Sequence, residues 1–416
     1  MRPSSTIGIA LALVLTAACG AKTGLDVPPF DAGMPDAGTD AGLDVPCVEV
    51  PLDDAGIVEL PLDLEAQLAR ADVLFLVDTT ASMNEEIEEI RQGLRDRIAP
   101  GIASAIPDSA LGVATFADFP VMSCGEALDV PFQLNREITQ DLSQVQAAVD
   151  GIGRSNGVDR PEAQVEALYQ VATGEGLDPF IQPSLGCPGG GFGYPCFRDG
   201  ALPVVLMFTD APFHNGPGGT NPYRCPLAPA VPHTYEQAID RLGRLDVRVI
   251  GMYSGDGTGR GDLEQLATDT AATGGDGSPL VFDIGLRGER LSDSVVNAIR
   301  TFADVIEFDV DTFLVDPDPG DGVDVTQFVE AVIPVRAVPM DRIRGIDTAT
   351  GTFLGVRAGT RVVFVLQIRA GVIMPGPEPQ RFRLEVVFRG NGRTRLGSRI
   401  VDIVIPGTNG EGCDAN

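Results

Sequence analysis

The chain has 416 residues, 44 % of them hydrophobic, with a formal charge of −29 and a pI near 4.3. That length accommodates two or three domains with apolar cores, while the charge excludes nucleic acid and an anionic bilayer surface as partners, because both would repel such a field. Divalent cations and neutral or basic surfaces are favoured instead, and nearly all the positive charge is arginine, since Lys22 is the only lysine.

Residues 1–18 carry Arg2, an apolar run from Ile7 to Leu15 and the small residues Thr16-Ala17-Ala18 before Cys19, the make-up of a secretory signal. Either cleavage follows a small residue and Cys19 is incidental, or "LTAAC" acts as the bacterial lipobox it resembles, and Cys19 becomes a lipidated N-terminus holding the chain to a membrane. The second option implies a lipoprotein of the bacterial cell envelope, at the outer membrane or cell surface. Residues 19–46 repeat DAG and LDVP and hold too little apolar surface to offset chain entropy, so a disordered linker is expected there. Export places Cys47, Cys124, Cys187, Cys196, Cys225 and Cys413 in oxidising surroundings, where an even number can pair completely. Cys47 with Cys413 is expected to tie the two ends of the chain together.

Over residues 47–306, β-branched runs alternate with helical spacings. DVLFLV (72–77), LGVATF (111–116), PVVLMF (203–208), DVRVIGM (246–252) and PLVFDI (279–284) read as buried strands. Between and after them, Ile87, Ile90, Leu94 and Ile98 recur at helical spacing, as do Tyr235, Ala238, Ile239 and Leu242, and Val295, Ile299 and Phe302. Apolar strands alternating with amphipathic helices predict an α/β domain, doubly wound around a mostly parallel sheet. Ligands of such sheets bind beyond the carboxyl ends of the strands. Over residues 307–410 the period falls to two: Phe382, Leu384 and Val386 alternate with Arg381, Arg383 and Glu385, and Asn391-Gly392 reads as a tight hairpin. With FVEAVIPV (328–335) and TRVVFVLQI (360–368), this predicts a C-terminal all-β sandwich.

The chemistry concentrates in "FLVDTTASMNEE". Asp78 ends a buried strand, and Asp78, Thr80 and Ser82 alternate, so one turning loop can aim three oxygens at a point. Carboxylate and hydroxyl oxygens are what a hard divalent cation takes. Asp210 ends another strand in "FTDAPFH", and Glu162 opens a helix in "NGVDRPEAQVEAL", so two more carboxylates reach the same edge. Capping of the helix near Met83 would explain one loop alone; it does not explain three acidic groups arriving from separate strand ends.

Four ordered segments, "DTTASMNEE", "LGVATFADFP", "NGVDRPEAQVEALYQV" and "LMFTDAPFH…NPYRC", resemble the von Willebrand factor A domain with its metal-ion-dependent adhesion site. The likeness is greatest to the inserted domain of integrin β subunits. It implies a Rossmann-like fold and a central Mg2+ held by Asp78, Thr80, Ser82 and Glu162, with Asp210 acting through water. Ca2+ at adjacent sites is implied too. One would use Glu85 and Glu86, each a methylene longer than the family's aspartates; the other would use Asp118, Asp159, the Pro161 carbonyl and Glu162. For that last site the family has an asparagine where Gly157 stands here, with Asn156 one position early. The resemblance further implies a bond from Cys225 to Cys187 or Cys196, and a helix at about 289–305 that shifts when ligand binds. The implied activity is metal-dependent adhesion to a protein partner that presents an Asp or Glu side chain.

Two rivals follow from the same residues. A strand ending in Asp-x-Thr resembles haloacid-dehalogenase-type phosphatases, but that chemistry needs a second acid where Thr80 stands and a lysine, so no enzyme is expected. A structural envelope protein whose metal only stiffens the loops is the other. The "RGD" at Arg260–Asp262 is read as chance, with Asp262 as a helix N-cap, and His214 and His233 as structural residues.

Overall fold

The computed structural model describes residues 45–51 and 56–413; the signal segment, Cys19 and the linker up to residue 44 lie outside the described residues. From Val45 onward the chain forms one compact unit. Its first strands are β1 (Cys47–Glu49) and β2 (Ile57–Ala66), followed by β3 (Arg70–Asp78), β4 (Asp108–Phe116), β5 (Gln133–Thr139), β6 (Leu202–Thr209), β7 (Arg248–Tyr253) and β8 (Val281–Asp283). Helices α1 (Asn84–Gly93) and α2 (Ala99–Ala105) are joined by a π turn over Leu94–Ile98, and α3 (Leu142–Asp150), α4 (Gln164–Thr173), α5 (Tyr235–Arg244), α6 (Arg260–Asp269) and α7 (Leu291–Val305) follow.

Strands β3 to β8 form one sheet in the order β5-β4-β3-β6-β7-β8, with every neighbouring pair parallel except β4 and β5. Every residue of β3 after Arg70 is buried, because alternate side chains leave opposite faces of the sheet and both faces are covered. Val73, Phe75 and Val77 pack with Ile87, Ile90 and Leu94 and with Val295, Ile299 and Phe302 of α7. Leu74 and Leu76 pack with Val165 and Leu168 of α4 and Leu242 of α5. Each such side chain contributes about 1.5–3 kcal/mol of burial. The chain leaves β3 toward β4 on one side and resumes at β6 on the other, so the switch of direction opens a crevice beyond the carboxyl ends of β3 and β6.

The opposite ends of these strands are clamped by Arg198. Its Nε donates to Asp72 Oδ1 at 2.7 Å and its Nη1 to Asp108 Oδ1 at 2.7 Å, while its backbone N–H donates to Asp72 Oδ2 at 2.5 Å. Asp72 is fully buried. Arg198→Ala would strand that carboxylate in the core, and a loss of roughly 3–5 kcal/mol in unfolding free energy is expected in a denaturant titration.

Helix α7 passes without a linker into β9 (Glu307–Val315), followed by β10 (Val329–Val338), β11 (Gly345–Asp347), β12 (Thr352–Arg357), β13 (Thr360–Arg369), β14 (Gln380–Gly390) and β15 (Thr394–Ile405). These make two sheets, β1-β15-β14-β9-β12-β11 and β10-β13-β2. The expected start of the first domain at residue 47 is therefore corrected: β1 pairs with β15 and β2 with β13, so residues from both ends of the chain build the sandwich. Strand β2 alternates in burial and needs a second sheet to cover its inner face. The Cys47–Cys413 disulfide closes this arrangement as expected, with Cα atoms 6.0 Å apart. Asn391 and Gly392 both take positive φ, 53° and 69°, in the β14–β15 turn, as the hairpin reading requires. Asn391 Nδ2 donates to Asp246 Oδ2 at 2.9 Å and the Arg395 N–H to the Gly200 carbonyl at 2.9 Å, holding the sandwich against the amino ends of β6 and β7. A cleft of about 710 Å³ lined by Arg70, Arg244, Arg389 and Arg393 lies at this junction, at the far end of the strands from the oxygen cluster.

Candidate metal centre

Asp78 is the last residue of β3 and fully buried. Its Oδ1 accepts from the Thr80 N–H at 2.9 Å and from Thr80 Oγ1 at 2.7 Å, and its Oδ2 accepts from Thr209 Oγ1 at 2.8 Å. Thr80 Oγ1 lies 3.3 Å from Ser82 Oγ, which donates to Asp210 Oδ1 at 3.1 Å. Asp78, Thr80, Ser82 and Asp210 thus form one hydrogen-bonded chain across the mouth of the crevice, running from the buried Asp78 to the exposed Ser82. Thr209 has an anchoring role that sequence reasoning missed; a hydroxyl within an otherwise apolar strand was the only signal for it.

Glu162 enters from a different loop. Its N–H donates to the Pro212 carbonyl at 3.1 Å and its carbonyl accepts from the His214 N–H at 2.9 Å, which zips the segment ahead of α4 to the segment after β6. The Thr79 carbonyl accepts the Ser155 N–H at 2.9 Å and the Thr79 and Ser155 hydroxyls lie 3.0 Å apart, drawing the same segment onto the first loop. Gly157 sits between them at φ 67°; a Cβ there would lie 2.8 Å from Glu162 Oε1 and 3.4 Å from Thr80 Cγ2. Glycine therefore lets the backbone close over the Glu162 carboxylate, where a side chain would push it away.

Burial and mutual proximity set the electrostatics of the carboxyls at this mouth. Burial, with the nearby Asp210, pushes Asp78 up to about 7. Burial and the charges of Asp78, Asp118, Asp129 and Asp159 hold Glu162 well above the usual carboxylate range, and burial raises Asp210. Glu162 Oε2 is buried without a hydrogen-bond partner. Buried polar atoms are rarely left so unless an ion or water completes them, and the mixture of hydroxyl and carboxylate oxygens suits Mg2+ or Ca2+.

A sign follows for stability. A carboxyl with a raised folded-state pKa binds a proton in the fold that the unfolded chain has released, so the metal-free fold loses stability as pH rises from about 4 toward 7. The midpoint of thermal unfolding in chelator is expected to fall by several degrees from pH 5 to pH 8, and the fall should vanish in saturating Mg2+.

The adjacent acidic residues do not gather in the same way. Glu85 is exposed, whereas Glu86 is fully buried with both carboxylate oxygens unpartnered; successive helical positions point about 100° apart, so the pair diverges. Burial, with Asp210 and Glu85, pushes Glu86 up to about 7. Asp118, fully buried after β4, and the half-exposed Asp159 both face His214 Nε2, at 3.2 Å and 3.4 Å. Burial opposes protonation of His214, but the contact and charge of Asp118, followed by Asp159, raise its pKa. Pro161 is half-buried immediately before Glu162. Among the described residues, Asp118, Cys124 and His214 have ligand atoms within 4.8 Å of one another, yet Cys124 is bonded to Cys225 and offers no thiolate.

Two expectations are corrected here. Cys225 pairs with Cys124, and Cys187 with Cys196, because Leu227, Phe119 and Tyr223 pack the 119–125 loop onto the 223–227 segment while Cys187 and Cys196 close a short excursion of their own. Asp262 lies inside the first turn of α6, whose N-cap is Gly259, and its Oδ2 accepts from the Phe213 N–H at 2.9 Å, tying the segment after β6 to this helix rather than capping it. His233 is structural as expected, with Nδ1 3.0 Å from the buried Glu166 and its ring stacked on Tyr169.

No family model and no curated protein matches the chain. Among solved structures it is similar to a von Willebrand factor type A protein from Catenulispora acidiphila, at 12 % identity over 87 % of this chain and 72 % of that one, with a TM-score of 0.37. It is also similar to the pilus adhesin SpaC from Lactobacillus rhamnosus GG in an open conformation, at 12 % identity over 88 % of this chain and 46 % of that one, with a TM-score of 0.33. A third is proximal thread matrix protein 1 from the mussel byssus, at 14 % identity over 61 % of this chain and 51 % of that one, with a TM-score of 0.34. The chain spans about half the length of the latter two. None of the three bears on the chemistry of the site, which rests on its side chains, as the doubly wound fold rests on strand order. Three disulfides fit an oxidising, extracellular setting, and no described helix is long and apolar enough to cross a membrane.

Proposed function

We propose that the chain is an exported, divalent-metal-dependent adhesion protein that recognises an acidic side chain of a protein partner at the crevice beyond β3 and β6. The observation that carries this reading is the hydrogen-bonded series Asp78, Thr80, Ser82 and Asp210, beside a Glu162 carboxyl that feels the charge of Asp78 and whose Oε2 is buried without a partner. Thr80, Ser82 and Glu162 would hold Mg2+ directly, and Asp78 and Asp210 would orient the two hydroxyls. The bound ion would supply residual positive charge and an exchangeable position for a carboxylate. Ser82 is exposed, which supports a position open to solvent.

Binding is favoured over catalysis because both Asp78 oxygens are committed to Thr80 and Thr209 rather than free for attack, and the only lysine lies at residue 22. A lipid on Cys19 would place the site at the bacterial surface, at the end of the linker of residues 19–46. The test is capture from envelope or matrix extract on the immobilised full chain. Retention in Mg2+ and Ca2+ that is lost in EDTA and competed by an Asp-containing peptide is the expected result. Equal capture in EDTA, or none in either condition, would assign the metal a structural role only.

A further inference from the structure

We infer that the imidazole of His214 stands where an adjacent Ca2+ would have to sit, so that Asp118 and Asp159 are partnered by a side chain of this protein instead of an ion. This rests on the metal-site reading above and extends it to the neighbouring position. His214 is buried, and its Nε2 lies 3.2 Å from Asp118 Oδ2 and 3.4 Å from both Asp159 oxygens. Its Nδ1 is 2.8 Å from the Asn221 carbonyl, which can only accept, so Nδ1 carries hydrogen.

The ring is held in place from several directions. Tyr223 stacks on it with centroids 4.0 Å apart and planes at 26°, and the His214 N–H is fixed to the Glu162 carbonyl at 2.9 Å. Space between the two carboxylates is thus taken by a side chain that cannot swing away without breaking this packing. The asparagine that the resemblance expects at position 157 is also absent. Asn156 turns its amide to Glu126 Oε2, at 2.8 Å, and Gly157 has no side chain. An imidazole lodged between Asp118 and Asp159, and backbone-bonded to Glu162, does the bracing that a second ion would do. Ligand binding in saturating Mg2+ should accordingly need no added Ca2+.

Equilibrium dialysis of the full chain with radioactive Ca2+ in saturating Mg2+ tests this, using wild type, Asp159→Asn, His214→Ala and the double variant. Wild type and Asp159→Asn are expected to retain equal Ca2+, because Asp159 ligates none. His214→Ala is expected to take up one additional Ca2+ per chain, lost again in the double variant, a gain that a merely structural histidine would not produce. Ca2+ on wild type that disappears with Asp159→Asn overturns the inference, and so does a folded His214→Ala chain with no added ion. If His214→Ala does not fold, the wild-type and Asp159→Asn comparison still decides. Uptake weakened by Asp78→Ala reports the central site separately, so failure of the functional reading and failure of this inference are distinguishable.

Discussion

Replacing Asp78 by alanine is expected to weaken Mg2+ uptake at the crevice sharply, with affinity falling about 10–100-fold. The effect is large because three interactions end on this one carboxylate: two from Thr80 and one from Thr209. Alanine removes the charge and also frees the Thr80 hydroxyl to rotate, so the loop no longer presents its oxygens together. Folding should survive, since removing a buried carboxyl already pushed up to about 7 relieves the metal-free protein of a charge it holds poorly. Isothermal titration beside a thermal melt separates the two outcomes. Weakened uptake with an intact melt is expected, and unchanged uptake would remove Asp78 from the site.

Glu162→Gln is expected to move stability and binding in opposite directions. In chelator the variant should melt higher than wild type by several degrees, because the amide ends the repulsion among Glu162, Asp78, Asp118 and Asp159 that accompanies burial. In saturating Mg2+ the order should invert, because the anionic oxygen left unpartnered at Oε2 is gone, and weaker ion binding contributes less to the fold. Stability withheld from the empty fold and returned on binding is the usual signature of a functional constellation. Melts of both chains in EDTA and in Mg2+ check it; a variant less stable in both would mark Glu162 as purely structural.

Much of this could be read from the chain alone where burial is two-sided. The runs around Val73–Val77 and Val204–Phe208 are continuous apolar stretches, which leaves little besides a covered parallel sheet for them to form. Strand ends then locate Asp78 and Asp210 at the crevice without further information. The edge strand β5, QLNREIT, is half-exposed and lacks that signature, so its pairing with β4 was not legible.

The remaining differences come from contacts between distant residues. Strand β2 joins β13 across some three hundred positions, and nothing in its own alternation names that partner. The Cys124–Cys225 bond depends on where two loops of irregular conformation meet above the sheet, which spacing does not encode. Asp262 has the position of a helix-start residue but is claimed by the Phe213 N–H, a tertiary partner that overrides the local one. His214 offered no signal because its significance lies in Asp118 and Asp159, ninety-six and fifty-five residues earlier.

The most direct measurement is an anomalous-difference map from crystals of the full chain soaked in Mn2+ as a stand-in for Mg2+. A peak within coordination distance of Thr80 Oγ1, Ser82 Oγ and a Glu162 carboxylate oxygen is the expected result. A map with no peak at the mouth of the crevice, or with its only peak away from these three side chains, would contradict it.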